Sequence, residues 1–234
     1  MSQEVLGIIP ARANSKRLRK KNLQMLCGKP LLQWSIEAAL HCRHITRTVV
    51  TSDGEDILEL AESLGAETIR RPAELATDTA DSLGVIKHTV DYLSQKDGYR
   101  PDILVLLQPT SPLRTSEDVD LAMTLYLDTK ATAVISGYEL ERNPVREFLL
   151  SPDGRLNAII DDSYPFAPRQ DLPRAFRPNG AIYIINTHLF KKTGSLLTDR
   201  TMPFYMAKEA SIDIDEMEDL VAAERYMRRT SVVN

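Results

Sequence analysis

Short, almost wholly apolar runs alternate with amphipathic stretches over residues 1–136. Residues 5–10 (VLGIIP) are apolar up to a terminal proline, which predicts a buried strand stopped at its end. After a polar loop over 11–29, Leu32, Ile36, Ala39 and Leu40 follow helical spacing behind Pro30, a residue suited to a helix's first turn. A second strand is predicted over 48–52 (TVVTS). Asp53 then reads as the N-cap of a helix over 55–64, with Ile57, Leu60, Ala61 and Leu64 on one face and Gly65 ending it. Residues 66–69 suit a third strand, and 82–93 a helix whose stripe is Val85, Ile86, Val90 and Leu93. The run 103–107 (ILVLL) is the most apolar in the chain and predicts a central strand buried on both faces. Thr115 and Asp118 stand at capping-box spacing ahead of a helix reaching 127, and 131–136 is another strand. This alternation predicts an α/β fold, a mostly parallel sheet covered by helices on both faces.

The pattern then changes. Residues 139–178 hold six prolines and little periodicity, which predicts irregular strands and loops forming an arm packed on another subunit. Alternation resumes with a strand over 181–185, an extended stretch over 211–215 and a helix over 216–227. The chain reads as a single domain, 1–234, with an insertion at 139–178. Hydrophobic residues at 43% and charged residues at 26% exclude a disordered or disulfide-scaffold chain. Lysines and arginines number 29 against 33 acids, a net charge of -4, which argues against a surface built for nucleic acid. Cys27 and Cys42 lack CxxC spacing and read as reduced thiols. No stretch approaches the ~20 apolar residues that span a bilayer, and residues 5–10 are too short for a signal peptide. The expectation is a cytoplasmic protein with no membrane partner.

Three segments carry candidate chemistry. The loop ARANSKRLRKKN leaves the first strand with Arg12, Lys16, Arg17, Arg19, Lys20 and Lys21. Ligands of open α/β sheets bind beyond the strands' carboxyl ends, so these cations suit a polyphosphate, although the same run also suits a solvated basic loop. In SIDID, an extended backbone puts Asp213 and Asp215 on one face and Ile212 and Ile214 on the other. Two carboxylates suit Mg²⁺ shared with substrate phosphates, or equally a solvent-facing pair on an edge strand. QPTSPLR (108–114) follows the most buried strand with an amide, two hydroxyls and a guanidinium. It suits recognition of a polar substrate, or a proline-rich turn into a capped helix. No Walker loop, G-x-G-x-x-G, nucleophile elbow or HExxH occurs, and His41, His44, His88 and His188 are scattered. No aromatic residue interleaves the basic loop, so a nucleic-acid stacking platform lacks support.

The blocks IIPAR-x-x-SK-x-x-x-x-KN, RPAELATDTADS, LLQPTSPLRT, PRQ-x-LP-x-AFRPNGAIYI and SIDID, in this order and over nearly the whole chain, resemble bacterial CMP-sialic acid synthetases, the acylneuraminate cytidylyltransferases. The resemblance implies a Rossmann-like nucleotidyltransferase domain with a protruding dimerisation element, working as a homodimer. It implies an Mg²⁺-dependent reaction of CTP with a nine-carbon 2-keto sugar acid, giving the CMP-sugar and pyrophosphate. Carried over to this chain, Arg12, Ser15, Lys16, Lys21 and Asn22 are the triphosphate loop. Arg71 and Ser82 stand at the cytosine and ribose end, and Gln108 at the sugar. Arg169 and Tyr183 receive the sugar's carboxylate and body, with Arg177 and Asn179 nearby, and Asp213 and Asp215 hold the metal. Arg12, Lys16, Lys21, Asp213 and Asp215 are then the catalytic set. The loop departs from the RGGSKG form of many members at Ala13, Asn14 and Arg17. Legionaminate, pseudaminate and 3-deoxy-manno-octulosonate share the reacting centre and remain alternatives to N-acetylneuraminate. A non-catalytic nucleotide-binding regulatory module is the alternative from another class.

Overall fold

The computed structural model describes residues 3–77 and 81–231; residues 78–80 of the TDTAD run lie outside the described residues. The elements run β1 (Val5–Pro10), β2 (Met25–Leu26), β3 (Lys29–Pro30), α1 (Leu31–Leu40), β4 (Arg47–Ser52), α2 (Glu55–Ser63), β5 (Glu67–Arg70), α3 (Ser82–Asp97), β6 (Ile103–Leu106), α4 (Ser116–Asp128) and β7 (Ala133–Glu139). They continue with β8 (Phe148–Leu150), β9 (Leu156–Ala158), β10 (Phe176–Asn186), α5 (Thr187–Thr193), β11 (Thr201–Tyr205) and α6 (Met217–Ser231). Seven strands form one sheet in the order β11-β7-β10-β6-β1-β4-β5. Only β10 runs antiparallel to its neighbours β6 and β7.

Period two in the strands decides the layers. Val5 and Ile9 of β1, with Ile103 and Val105 of β6, face a core closed by α1, α2 and α4. Leu6, Ile8, Leu104 and Leu106 face the opposite core, closed by α3 and α5 through Ile86, Val90, Leu93 and Phe190. Central strands buried on both faces show no polar alternation, which is why VLGIIP and ILVLL read as solid apolar runs. A third, smaller cluster lies outside these layers. It joins Leu18 of the basic loop, Leu26, Leu31, Leu113, Ile214, and Leu220 and Ala223 of α6.

Several expectations change. Asp53 does not cap α2. Gly54 occupies that position, because a Cβ there would lie 2.7 Å from Cβ of Ala13. Asp53 instead accepts the Ala13 N–H at 2.8 Å and ties the end of β4 to the basic loop. Pro30 pairs with Met25 in a two-stranded ribbon and precedes α1 rather than opening it. β11 was not expected, since Pro203 breaks its pattern; at the sheet's edge a missing N–H costs no ladder bond. Residues 211–215 form no strand and stand outside the sheet, held by Ile214 N–H donating to the Thr110 carbonyl at 2.7 Å.

Between β7 and β10, residues 140–175 form an arm of the β8–β9 hairpin and short 3-10 turns. Its apolar side chains are turned outward: Leu150 is 72% and Phe166 81% exposed, with Leu149, Leu156 and Ile160 beside them in exposure. Among the described residues, no helix is long and apolar enough to cross a membrane.

The capping box at α4 is complete. Asp118 N–H donates to Thr115 Oγ1 at 3.1 Å, and Thr115 N–H donates to Asp118 Oδ2 at 2.8 Å. Thr115→Ala is expected to lower unfolding stability by about 1 kcal/mol in urea titrations, and Thr115→Ser to preserve it. An unchanged midpoint in the alanine variant would remove the cap from the account.

Candidate active site

Parallel strands end on one edge of the sheet, and the predicted side chains leave from those ends. Arg12 follows β1, Arg71 follows β5 and Gln108 follows β6. They line a cleft of about 280 Å³ together with Lys21, Asn22 and Ser82. A second cleft of about 400 Å³ adjoins it, lined by Gln108, Tyr138, Arg177, Asn179, Tyr183 and Asp213. Gln108 belongs to both. Ser15 is half-buried and Lys16 exposed, on the loop beyond the residues lining the two clefts. Arg169 is not brought to this edge. It borders a groove of about 550 Å³ on the arm, with Arg142, Arg146 and Arg174. That groove is larger, but it lies away from the strand ends where the other candidate groups converge.

The basic loop takes its shape from side-chain bonds. Asn22 is buried and donates its Nδ2 to the Arg12 carbonyl at 2.8 Å, so its amide fixes the loop rather than facing the cleft as a free donor. The left-handed residue is Lys20 (φ 51°), and Arg17 therefore replaces a glycine without backbone strain. Lys21 Nζ reaches Asp215 Oδ1 at 2.9 Å, and Arg17 Nη1 reaches Asp215 Oδ2 at 3.3 Å. The amino-terminal cations and the carboxy-terminal acids thus meet, with Leu18 and Ile214 packed beneath them.

The two acids are electrostatically unlike. The Lys21 hydrogen bond holds Asp215 below the ordinary carboxylate range, helped by the charges of Arg17 and Arg12. Asp213 is raised, chiefly by burial, and further by Asp215, against a hydrogen bond with Thr110. Its side chain keeps solvent access because it lines an open cleft, while protein packs around it from behind. Asp219 is spent elsewhere, accepting the Asp215 and Glu216 N–H groups at the start of α6. Among the described residues no three His, Cys, Asp or Glu side chains gather as a metal cage. A site built here has two carboxylates and depends on substrate oxygens and water for the rest, the mode Mg²⁺ favours.

Arg71 is buried at the end of β5, where Nη2 donates to the Thr51 carbonyl at 2.9 Å and Nη1 to the Leu75 carbonyl at 3.4 Å. Burial lowers its pKa, and its Nε is left without a partner beside the first cleft. Asn179 lines the second cleft, but its buried side chain is bonded to protein partners. Its Oδ1 accepts from Ser136 Oγ at 2.6 Å and Ala181 N–H at 3.1 Å, and its Nδ2 donates to Ser211 Oγ at 2.9 Å. It knots the irregularity where β10 slips register between Pro178 and Tyr183. Arg114, expected among the recognition groups, is instead in the core at 3% exposure. Tyr183 is half-buried, and burial followed by the nearby Asp213 raises its phenol. Thr110, one of the two hydroxyls expected to suit a polar substrate, lines the first cleft and hydrogen-bonds Asp213. Tyr138 was not anticipated: it carries no motif and reaches the second cleft because β7 pairs with β10.

The cytidylyltransferase family model matches residues 6–223 of this chain. The chain belongs to that family. A protein named N-acylneuraminate cytidylyltransferase from Escherichia coli O18:K1:H7 is 35% identical over 223 residues, covering 95% of this chain and 52% of the relative. The chain thus spans about half the length of that relative. A Legionella pneumophila protein named CMP-N,N'-diacetyllegionaminic acid synthase is 32% identical, covering 95% of this chain and 96% of its own. The solved structure of CMP:2-keto-3-deoxy-manno-octonic acid synthetase complexed with CTP superposes with a TM-score of 0.71, covering 97% of this chain and 100% of that one. At 16% identity it shows the fold of this cytidylyltransferase family member: the mainly parallel sheet with helices on both faces.

Removing the Asn179 knot should be costly. Asn179→Ala is expected to destabilise by about 2 kcal/mol or more, since buried partners on Ser136 and Ala181 lose their acceptor. A melting temperature within error of wild type would show that the irregularity in β10 holds without it.

Proposed function

We propose that this cytidylyltransferase couples CTP to a nine-carbon 2-keto sugar acid, N-acetylneuraminate first among them, releasing pyrophosphate. The observation that carries the reading is the convergence of Arg12, Lys21 and Arg71 with Asp213 and Asp215 at one edge of the sheet, between two adjoining clefts. The E. coli relative's name supports the sugar class. The Legionella relative, matched over nearly its whole length, supports N,N'-diacetyllegionaminate as the second reading.

In this reading the first cleft takes the nucleotide. Arg71 and Ser82 both line it, which suits the base and ribose. Arg12 and Lys21 line the same cleft, and their positive charge would offset the charge that builds on departing pyrophosphate. The second cleft takes the sugar acid, with Arg177 for the carboxylate and Tyr183 and Gln108 for its body. Asp213 and Asp215 would hold Mg²⁺, and Asp213, crowded by burial and by Asp215, is a carboxylate that a hard cation would relieve. When bound, the ion supplies Lewis-acid polarisation of the phosphate and a lower pKa for the attacking hydroxyl. Lys21 holds Asp215 in place and keeps its ammonium beside the nucleotide cleft. A purely regulatory nucleotide-binding module would need neither the second cleft nor the acid pair.

The outward apolar side chains of the arm support a homodimer, with Leu150 and Phe166 covered by a second copy and Arg169 acting at the partner's sugar cleft. Unpaired Cys27 and Cys42 suit the reducing cytoplasm.

The test is pyrophosphate release from CTP and Mg²⁺ with N-acetylneuraminate, legionaminate, pseudaminate and 3-deoxy-manno-octulosonate. N-acetylneuraminate is expected to be turned over fastest; no release with any sugar acid would refute the reaction. Asp213→Asn should lower kcat by at least ~100-fold with CTP still bound, and near-normal turnover would remove Asp213 from the metal site. Leu150→Asp combined with Phe166→Asp should sediment as a monomer where the wild type sediments as a dimer. A monomeric wild type would refute the arm's role.

A further inference from the structure

The guanidinium of Arg114 is the most deeply placed charge near the two clefts. It lies at 3% exposure, and its hydrogen bonds go to neutral acceptors on three separate elements. Nε donates to the Ala181 carbonyl in β10 at 2.7 Å. Nη1 and Nη2 donate to Ser35 Oγ in α1 at 3.2 and 2.9 Å, and Nη2 also donates to the Gln108 carbonyl. Burying a cation is expensive, and burial here pulls its pKa down. A side chain that served only to fill space would be apolar.

The bonds meet beside the sugar cleft, where the side chain of Gln108 comes against β10. Gly180, next to Ala181, has φ +76°, and a Cβ on it would lie 2.5 Å from Gln108 Oε1 and 3.0 Å from Ser111 Oγ. The Gln108 carboxamide therefore packs directly on the β10 backbone. Ser111 Oγ donates to the Asn179 carbonyl at 2.9 Å and adds a second tie across the same gap. A planar fork with donors in fixed directions can hold two carbonyls and a hydroxyl at set separations, which a lysine's single ammonium cannot.

We propose that Arg114 is a positioning residue for sugar-acid binding: from the core it fixes the peptides of Gln108 and Ala181 and so sets the width of the sugar cleft. This rests on the reading of that cleft given above. Arg114 itself touches no substrate. Its influence passes through Gln108, on one wall, and through β10, whose Arg177 and Tyr183 stand on the other. Gln108 borders both clefts, but Arg177 and Tyr183 of β10 line only the second, and Arg12, Lys21 and Arg71 line only the first, so the sugar acid feels the change more than CTP.

The experiment compares wild type, Arg114→Lys, Ser35→Ala, Gln108→Ala and the double variant Arg114→Lys with Gln108→Ala, using the sugar acid that wild type turns over best. Arg114→Lys is expected to raise the sugar-acid KM about tenfold with the CTP KM within about twofold, and Ser35→Ala to raise the same KM by a few-fold. Because part of Arg114's influence passes through Gln108 and part through β10, the double variant should fall short of the product of the two single effects. A folded Arg114→Lys protein with normal sugar-acid KM overturns the proposal. So does a double variant whose KM is the product of the single effects, or a loss of kcat and thermal stability with both KM values unchanged. If Arg114→Lys does not fold, Ser35→Ala decides: an unaltered sugar-acid KM at wild-type melting temperature overturns it. A wild type inert toward every sugar acid refutes the reaction and this role together, whereas an active wild type with any of the contrary results refutes only the role.

Discussion

The apolar cluster beneath the basic loop is the constraint from which the rest of the site follows. Leu18 comes from the amino-terminal loop and Ile214 from the segment between the two acids, and both are buried with Leu26, Leu31, Leu113 and Leu220. Burial of such a side chain contributes about 1.5–3 kcal/mol. An exposed ion pair contributes about 0–1 kcal/mol, and Arg17 and Asp215 are 66% and 47% exposed at their side chains. The apolar floor therefore decides that the loop and the acids meet, and the ion pairs then set their orientation. Ile214 is further pinned by its N–H bond to Thr110, which also joins the acids to the end of β6.

The two sides of the site are held by different means. On the proposed nucleotide side, cations follow parallel strands at their carboxyl ends, and bonds between side chains and backbone fix the segments that carry them: Arg71 to Thr51 and Leu75, Ala13 to Asp53, Asn22 to Arg12. On the sugar side the antiparallel β10 breaks register, and side-chain amides and hydroxyls replace the missing ladder bonds. Such a network is sensitive to the loss of Asn179, because Ser136, Ala181 and Ser211 all bond to its one side chain. In the proposed reading, specificity toward the acid would depend on the packing of β6 against β10 as much as on the groups that line the cleft.

The layers were legible from the sequence because they obey period rules. VLGIIP, TVVTS and ILVLL became β1, β4 and β6 nearly to the residue, and the Thr115 cap matches its expected partner. β11 was hidden by Pro203, which only an edge position tolerates, and edge position is a property of the whole sheet. Asp53 reads locally as a cap, yet its partner is Ala13, forty residues away in sequence. Arg114 looks like a recognition group because polar residues after a buried strand usually are, and tertiary packing turned it into the core; Asn179 was placed by the resemblance alone, and it is buried at the second cleft. Arg169 belongs with the others by motif but stands on the arm within a single chain. The convergence of Lys21 with Asp215 across most of the chain's length has no local signature, and only the motif order pointed to it.

The account's central claim is that these distant segments grip one nucleotide. The most direct measurement is a crystal structure with CTP and Mn²⁺ as an anomalous marker. The account predicts phosphate oxygens against Arg12 and Lys21, the base toward Arg71, and the anomalous peak between the phosphates and Asp213 and Asp215. A nucleotide bound elsewhere, or a manganese peak remote from both aspartates, would contradict it.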